Sequence, residues 1–136
     1  MTVRIVRLGT PRHPGEGTRI GTVRRPPRGV PKAGFASGDW YDVWFPNLSP
    51  SPELVKRALA SQSDLSAAGE KEWAAFARGY RAEMARPGNA RAIALLATLS
   101  QQANFSVGCY CENESRCHRA ILRALLRDAG ASVDGT

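Results

Sequence analysis

The sequence feature that most constrains this chain is one short segment that ends with a Cys-His-Arg triplet. It holds all three cysteines and one of the two histidines, in the order Cys109-Tyr110-Cys111-Glu112-Asn113-Glu114-Ser115-Arg116-Cys117-His118-Arg119. An apolar run that begins at Phe105 precedes it, and a helix-periodic stretch follows it. In α/β proteins, ligands bind beyond the carboxyl ends of strands. A strand, a reactive turn and a helix therefore predict a functional site here.

Strand-like and helix-like stretches alternate along the chain. Strands are predicted over residues 3–8, 18–24, 41–45 and 105–111, and helices after Ser51, over about 70–86, after Asn89 and over roughly 116–129. This alternation predicts a single α/β domain, residues 1–136, with a mainly parallel sheet and flanking helices in a Rossmann-like three-layer arrangement. The chain length suits one domain with one core.

The composition and the cysteine content indicate where in the cell the protein is expected. No apolar run approaches the roughly 20 residues that span a bilayer, and residues 1–5 lack the apolar region of a signal peptide. Three cysteines within nine positions make a poor disulfide framework and suit a reducing compartment. We therefore expect a cytoplasmic protein that does not contact membranes. The pattern identifies no cofactor and no oligomeric state.

The positive charge is concentrated near the N-terminus. The net charge is +7, and residues 1–32 carry eight lysines and arginines against the single carboxylate of Glu16. Such a local excess attracts phosphate groups, so a phosphate-bearing ligand or a nucleic acid is the expected partner. The alternative is a solvated basic face that binds nothing.

Part of this charge lies on a proline-rich stretch, residues 25–32. Proline fixes φ, so cations on this backbone are better preorganised for an anion than cations on a flexible tail. The predicted substrate-binding residues are Arg24, Arg25, Arg28 and Lys32. Few aromatic residues accompany them in the sequence, so no stacking platform for bases is predicted.

The cysteine segment is compatible with nucleophilic chemistry. Cys111 or Cys117 would be activated by the helix N-terminus and by neighbouring Arg116, because positive surroundings lower a thiol pKa and the thiolate is the nucleophile. In a non-covalent variant, His118 and Arg119 bind an anionic substrate while Glu112 acts as a general base. The candidate catalytic residues are Glu112, Cys117, His118, Arg119 and Cys111.

Two other interpretations stay open. Cys109, Cys111, Cys117 and His118 are zinc-type ligands, but they lack the usual Cys-x2-4-Cys pairing, and neighbours on a helix diverge by about 100°. No metal ligand is therefore predicted. Cysteine is also a common core residue, and strand alternation predicts that Cys109 is buried as one.

Several segments together resemble a known family. They are the basic run 19–32 with its Pro-Arg-Gly, the segments 41–46 and 48–51, the residues Phe76, Tyr80, Glu83 and Met84, and the motifs Cys111-Glu112 and Cys117-His118-Arg119. In this order they are similar to the YeaO-like family of uncharacterised proteins, the family of unknown function numbered four hundred eighty-eight, in a subgroup that carries the cysteine motif. The resemblance implies a compact α/β domain of bacterial type and no established activity.

Taken together, the two motif clusters predict an α/β domain that acts as an enzyme on a phosphate-bearing substrate, a nucleotide or a nucleic acid. The N-terminal arginines and lysine would hold phosphate, and the C-terminal cluster would supply the reacting groups. The alternatives are a non-catalytic nucleic-acid-binding module and a metal-binding domain. The sequence leaves open whether the chain is an enzyme.

Overall fold

A four-stranded sheet organises the computed structural model, which describes residues 1–134. The strands are β1 (Val3–Arg7), β2 (Thr18–Gly21), β3 (Val43–Trp44) and β4 (Phe105–Cys109). Their spatial order is β1-β4-β2-β3, and every pair is parallel. The predictions of an α/β fold and of a parallel sheet are confirmed. Because the strands are parallel, their carboxyl ends lie at one edge of the sheet.

Strand β4 occupies the interior of the sheet. All five of its residues are buried, and it pairs with β1 over residues 105–109 and with β2 over residues 105–108. It ends at Cys109, two residues earlier than predicted, because its neighbours diverge there. The β1 chain leaves through Gly9, whose φ of +88° is in the left-handed region that favours glycine. Residues 110–111 therefore continue beyond the sheet edge.

Strands β2 and β3 are shorter than predicted. Beyond β2, a side chain rather than the backbone of β3 bonds to the neighbouring chain. The Trp44 indole donates to the carbonyl oxygen of Val23 at 2.8 Å. The proline-rich segment after it has no strand partner, as expected for residues without a backbone N–H. The chain after β2 therefore turns away at the same edge where β4 ends.

Four helices complete the fold. They are α1 (Pro52–Gln62), α2 (Ala67–Met84), α3 (Pro87–Leu99) and α4 (His118–Asp128), and short 3-10 turns cover residues 32–34, 46–48 and 114–116. Helix α2 starts earlier than predicted because the side chain of Ser66 accepts from the Ala68 N–H as N-cap. The prediction that α3 begins after Asn89, with this residue as its N-cap, was wrong. Its amide donates to the Glu83 carbonyl, and the helix already begins at Pro87.

The main core lies on one face of the sheet. Buried side chains from all four helices pack there against Val3, Phe105 and Val107. The opposite face carries the fully buried Arg19, which is covered by the loop after β1 rather than by a helix, since Glu16 of that loop pairs with it. Within residues 1–134, no helix combines the length and the apolar character that crossing a bilayer requires.

Candidate functional site

The parallel topology brings three segments to the carboxyl edge of the sheet. They are residues 22–25 after β2, residues 45–51 after β3, and residues 109–111 at the end of β4. Helix α4 begins beside them at His118, with Cys117 as its N-cap. The prediction that the first turn of the last helix lies here is confirmed for His118 and Arg119, whereas Cys117 precedes the helix as its N-cap.

A cavity of about 380 Å³ lies at this edge. Its floor is formed by buried residues, including Cys109, Cys117 and His118. Its charged lining is entirely cationic among the described residues, and no carboxylate joins it. The lining consists of Val23, Arg24, Arg25, Pro50, Pro52, Val55, Lys56, Ala58, Leu59, Phe76, Cys109, Tyr110, Cys111, Cys117 and His118. The exposed Arg24, Arg25 and Lys56 form its mouth. The cavity therefore suits a ligand with an apolar body and a negatively charged end.

Three thiols form one cluster on the floor. The sulfurs of Cys109 and Cys117 lie 2.8 Å apart, and both side chains are at most 2% exposed. Cys111, beyond the strand end, is only half-buried. The prediction that Cys109 is a core residue is confirmed. Of the three thiols, Cys111 is therefore the most accessible from the cavity.

The cluster concentrates negative charge on Cys111. Hydrogen bonds from Cys109, Cys117 and Gln62 lower the pKa of Cys111 below its ordinary value, although burial opposes the shift. The pKa of Cys109 is raised by its hydrogen bond to Cys111 and by burial. For Cys117, the bond with Cys109 lowers the pKa, but Cys111 and burial outweigh it and raise the pKa to about 11. A thiolate at neutral pH is therefore expected on Cys111.

His118 is held as a neutral imidazole. Its Nε2 lies 2.8 Å from the carbonyl oxygen of Thr22 and 3.2 Å from the hydroxyl oxygen of Thr22. A carbonyl can only accept, so Nε2 carries the proton and the Nδ1 lone pair faces the Cys117 sulfur at 3.6 Å. Burial lowers the pKa of His118 to about 4. The Nδ1 lone pair can therefore accept a hydrogen bond from the Cys117 thiol, and the neutral ring has no proton at Nδ1 to donate to the cluster.

Arg119 acts on the backbone of the site. It is 3% exposed, and its guanidinium donates to the carbonyl oxygen of Cys111. Its Nε, also buried, has no hydrogen-bond partner among the residues that the structure describes. Arg119 is not part of the cavity lining. It is therefore a positioning residue for Cys111 rather than a surface to which a substrate in the cavity can bind.

The basic residues predicted from the N-terminal region divide into three groups. Arg24 and Arg25 line the cavity together with the thiols. Arg28 lies in an adjacent cavity, and Lys32 is exposed and lines neither. Glu112 is also exposed and lines neither cavity. The structure thus joins half of the predicted phosphate-binding set to Cys111, Cys117 and His118, without Glu112.

Arg24 and Arg25 differ in what they contact. The Arg24 guanidinium donates to the carbonyl oxygens of Ser49 and Pro50, at 3.0 Å for the shortest bond. The Arg25 guanidinium has neither a hydrogen bond nor an ion pair within residues 1–134. Arg24 therefore fixes the cavity wall before α1, and Arg25 is available to a ligand.

Comparison with known protein families matches residues 3–130 to DUF488-N3a, described as the active DUF488-N3 subclade. The chain belongs to the DUF488 family. The resemblance to the YeaO-like family is thereby confirmed. Neither the curated proteins nor the solved structures gave a significant match.

The cysteine cluster of this DUF488 protein also includes a possible metal-binding set. One ligand atom each from Cys109, Cys117 and His118 lies within 4.8 Å of the others. The divergence expected of adjacent helical residues does not occur, because Cys117 precedes the helix with extended backbone. The 3.6 Å between Cys117 Sγ and His118 Nδ1 matches the about 3.5 Å between two ligands of tetrahedral zinc. The two sulfurs, 2.8 Å apart, would have to separate by about 1 Å to share the metal.

Sequence reasoning missed several residues of the DUF488 site. Thr22 follows β2 directly, and the rule that ligands bind at carboxyl ends of strands could have identified it. Lys56 and Gln62 carry no such signal, because only the packing of α1 brings them to the cavity mouth and to Cys111. Trp40 and Tyr110 line the adjacent cavity with the basic residues, although neither lies near them in the sequence.

Proposed function

We propose that this DUF488 protein is an enzyme that uses the Cys111 thiolate as a nucleophile on a phosphate-bearing substrate. One observation carries the proposal: Cys111, Cys117 and His118 line the same cavity as Arg25 and Lys56. A nucleophile and an anion-binding group within one pocket are the two parts that such a reaction needs. The description of the matched subclade as active is consistent with this proposal.

The position of the charges indicates which part of the substrate reacts. The cations lie at the exposed mouth, whereas the thiols lie at the buried floor between apolar walls that include Val23 and Phe76. A phosphate held at the mouth would leave the less polar part of the substrate facing Cys111. The proposed electrophile is therefore a carbon, carbonyl or glycosidic, and not the phosphorus.

The proposed reaction is a two-step hydrolysis. In the first step, the Cys111 sulfur forms a bond to this carbon, and the bond from the carbon to its leaving group breaks with its electron pair. In the second step, water attacks the same carbon and the sulfur leaves as a thiolate. The hydroxyl of water remains on the product carbon. The Cys117 thiol, whose raised pKa keeps it protonated, would donate the proton that the leaving group takes in the first step and would regain a proton from the water of the second step.

Alkylation of the thiols tests the proposal. At pH 7, iodoacetamide followed by peptide mass spectrometry should modify Cys111 before Cys109 and Cys117, and millimolar AMP should slow that modification. The Cys111→Ser variant should lack the rapid modification expected of Cys111. Its circular dichroism spectrum should match that of wild type, which would show that the fold is kept. Lys71→Ala, an exposed α2 cation outside the cavity, is the matched control for charge. The proposal fails if Cys111 reacts no faster than the two buried thiols, or if no phosphate-bearing compound protects it.

A second candidate function is a metal-binding domain, which the close approach of Cys109, Cys117 and His118 favours. Thiolate and imidazole are ligands that zinc prefers, and bound zinc would add binding free energy to folding. Elemental analysis of untagged protein should then show about one zinc per chain, and EDTA should lower the melting temperature. Protein without stoichiometric metal, and with a melting temperature that EDTA does not change, contradicts this candidate.

A further inference from the structure

A second cavity, of about 890 Å³, adjoins the first at the carboxyl ends of β1 and β4. Three arginines line it, namely Arg7, Arg25 and Arg28, and no carboxylate is among its described lining residues. All three arginines are exposed. Arg28 has no hydrogen bond or ion pair within the described chain. Such a concave cationic surface attracts an anion with more than one negative group.

The two cavities adjoin each other and share two lining residues. Arg25 and Tyr110 line both, and the Tyr110 hydroxyl donates to the carbonyl oxygen of Arg25 at 2.8 Å. This bond forms the shared wall. Pro26 and Pro27 follow Arg25 directly, and because proline fixes φ they hold Arg25 and Arg28 at a set separation. A ligand that fills the first cavity can therefore extend past Arg25 into the second.

The second cavity also has an aromatic wall. The rings of Trp40 and Tyr110 are 5.9 Å apart and meet edge to face at 72°. The Trp40 ring packs so closely on Gly9 that a Cβ at Gly9 would lie 2.8 Å from it. The indole is thus held in place yet only half-buried. A fixed, partly exposed ring beside arginines is the combination on which bases of single strands stack.

We propose that the second cavity binds the nucleotide adjoining the reacting one, so that the substrate is a single-stranded nucleic acid. This inference rests on the proposed function for the first cavity. Arg25 and Arg28 would bind successive phosphates, and Trp40 would stack on the adjoining base. A mononucleotide in the first cavity would leave Arg7 and Arg28, which line only the second cavity, without a phosphate to bind. A duplex keeps its bases paired and stacked, so its bases cannot reach a recessed indole.

Binding of oligonucleotides tests the inference. The probes are fluorescein-labelled oligothymidylate and oligouridylate of about ten nucleotides, within the site sizes of single-strand binding folds. Their anisotropy is compared with that of the same oligothymidylate annealed to its complement, and unlabelled dTMP serves as competitor. The variants are Arg28→Ala, Trp40→Phe and, as the control for charge, Arg91→Ala on the exposed surface of α3.

We expect the single strand to bind more tightly than the duplex or dTMP. Arg28→Ala should weaken binding roughly tenfold, as for one charge-assisted hydrogen bond. It should also reduce the slope of log K against log salt by about 0.7, as for one phosphate contact on a single strand. Arg91→Ala should change neither quantity. The single strand should quench tryptophan fluorescence in wild type but not in Trp40→Phe.

Three results would overturn the inference: equal affinity for duplex and single strand, no gain over dTMP, or an Arg28→Ala variant with unchanged affinity and salt slope. These results leave the proposed function standing, because iodoacetamide modification of Cys111 and its protection by AMP are measured separately. Conversely, an unreactive Cys111 with length-dependent binding through Arg28 would refute the catalytic proposal and retain the binding surface.

Discussion

The carbonyl oxygen of Thr22 lies 2.8 Å from Nε2 of His118 and so fixes the tautomer of a buried imidazole. The bond connects the residue after β2 to the first residue of α4, which is 96 positions later in the chain. Because the strand end sets which ring nitrogen is protonated, it also sets that the Nδ1 lone pair faces Cys117. The backbone at the strand end thereby determines which nitrogen of His118 can accept a hydrogen bond from the Cys117 thiol.

Substitution of His118 should separate packing from hydrogen bonding. His118→Ala removes a buried ring that packs on Tyr80 and leaves the Thr22 carbonyl without this donor, so we expect a loss of about 2–4 kcal/mol in unfolding free energy. His118→Gln retains an amide donor and should lose less. Urea unfolding measures both. Equal losses would show that the bond to Thr22 contributes nothing beyond ring packing.

His118 should also make stability depend on pH. Burial lowers the pKa of His118 in the folded state to about 4, from an ordinary value of 6.5. The charge of Cys111 opposes this shift, and the charge of Arg119 adds to it. Between these values the unfolded chain binds the proton and the folded chain does not. The contribution of His118 to stability is therefore fully present above pH 6.5 and is lost as the pH drops toward 4, by roughly 3 kcal/mol at about 1.4 kcal/mol per pKa unit.

Urea unfolding of metal-free protein at pH 7 and pH 5 measures this dependence. Two histidine variants are measured in the Cys111→Ser background, because the lowered pKa of Cys111 adds a pH dependence of the same sign. In that background His118→Gln should remove most of the dependence, while His13→Gln, at an exposed loop position, should not. A wild-type stability that is flat between these two pH values would contradict the prediction.

The buried pair of Glu16 and Arg19 provides a test on the opposite face of the sheet. The two side chains are at most 2% exposed, and Glu16 also accepts from the Ser106 hydroxyl on β4. Glu16→Gln would leave the Arg19 charge buried without its counter-ion, and we expect it to cost about 3–5 kcal/mol. The matched control is Glu72→Gln, which breaks the exposed pair with Arg57 and should cost less than about 1 kcal/mol.

Comparable losses of unfolding free energy in the two glutamine variants, measured by urea unfolding at pH 7, would rule out a special contribution from burial.

The pair of Glu16 and Arg19 should also make stability depend on pH in the acid range. Burial alone would raise the pKa of Glu16, but hydrogen bonds from Arg19 and Ser106 outweigh it and lower the pKa to about 2. The pair's contribution is therefore present above pH 4.5 and decreases as the pH falls toward 2.

The features that the sequence predicted well depend on local patterns. An apolar run followed by reactive residues and a periodic stretch placed β4, the turn and α4 in the right order. The prediction that Cys109 is a buried core residue of this strand is confirmed. These predictions needed only periodicity and the direction of parallel strands.

The features that it did not predict depend on long-range packing. Glu112 is one residue past Cys111, yet it faces solvent because the chain has already left the sheet. Lys32 lies in a 3-10 turn away from the proline-rich wall that holds Arg28. Trp40 reaches the basic residues through its contact with Gly9, across a separation in sequence that no local pattern reports. The charge and the motifs of the sequence therefore identified the N-terminal basic cluster and the C-terminal cysteine cluster. They did not identify which residues of the two clusters line the same cavity.

Arg24 and Arg25, adjacent in sequence, should have separable roles. Arg24 donates to the carbonyls of Ser49 and Pro50 at the wall before α1, so Arg24→Ala should cost about 1–2 kcal/mol in urea unfolding. The Arg25 guanidinium has no partner in the described chain, so Arg25→Ala should change stability by no more than about 0.5 kcal/mol. Because Arg25 lines both cavities, its loss should instead abolish protection of Cys111 by AMP and weaken oligonucleotide binding. If Arg25→Ala destabilises the fold as much as Arg24→Ala does, or leaves both ligand effects intact, Arg25 is not the shared phosphate ligand.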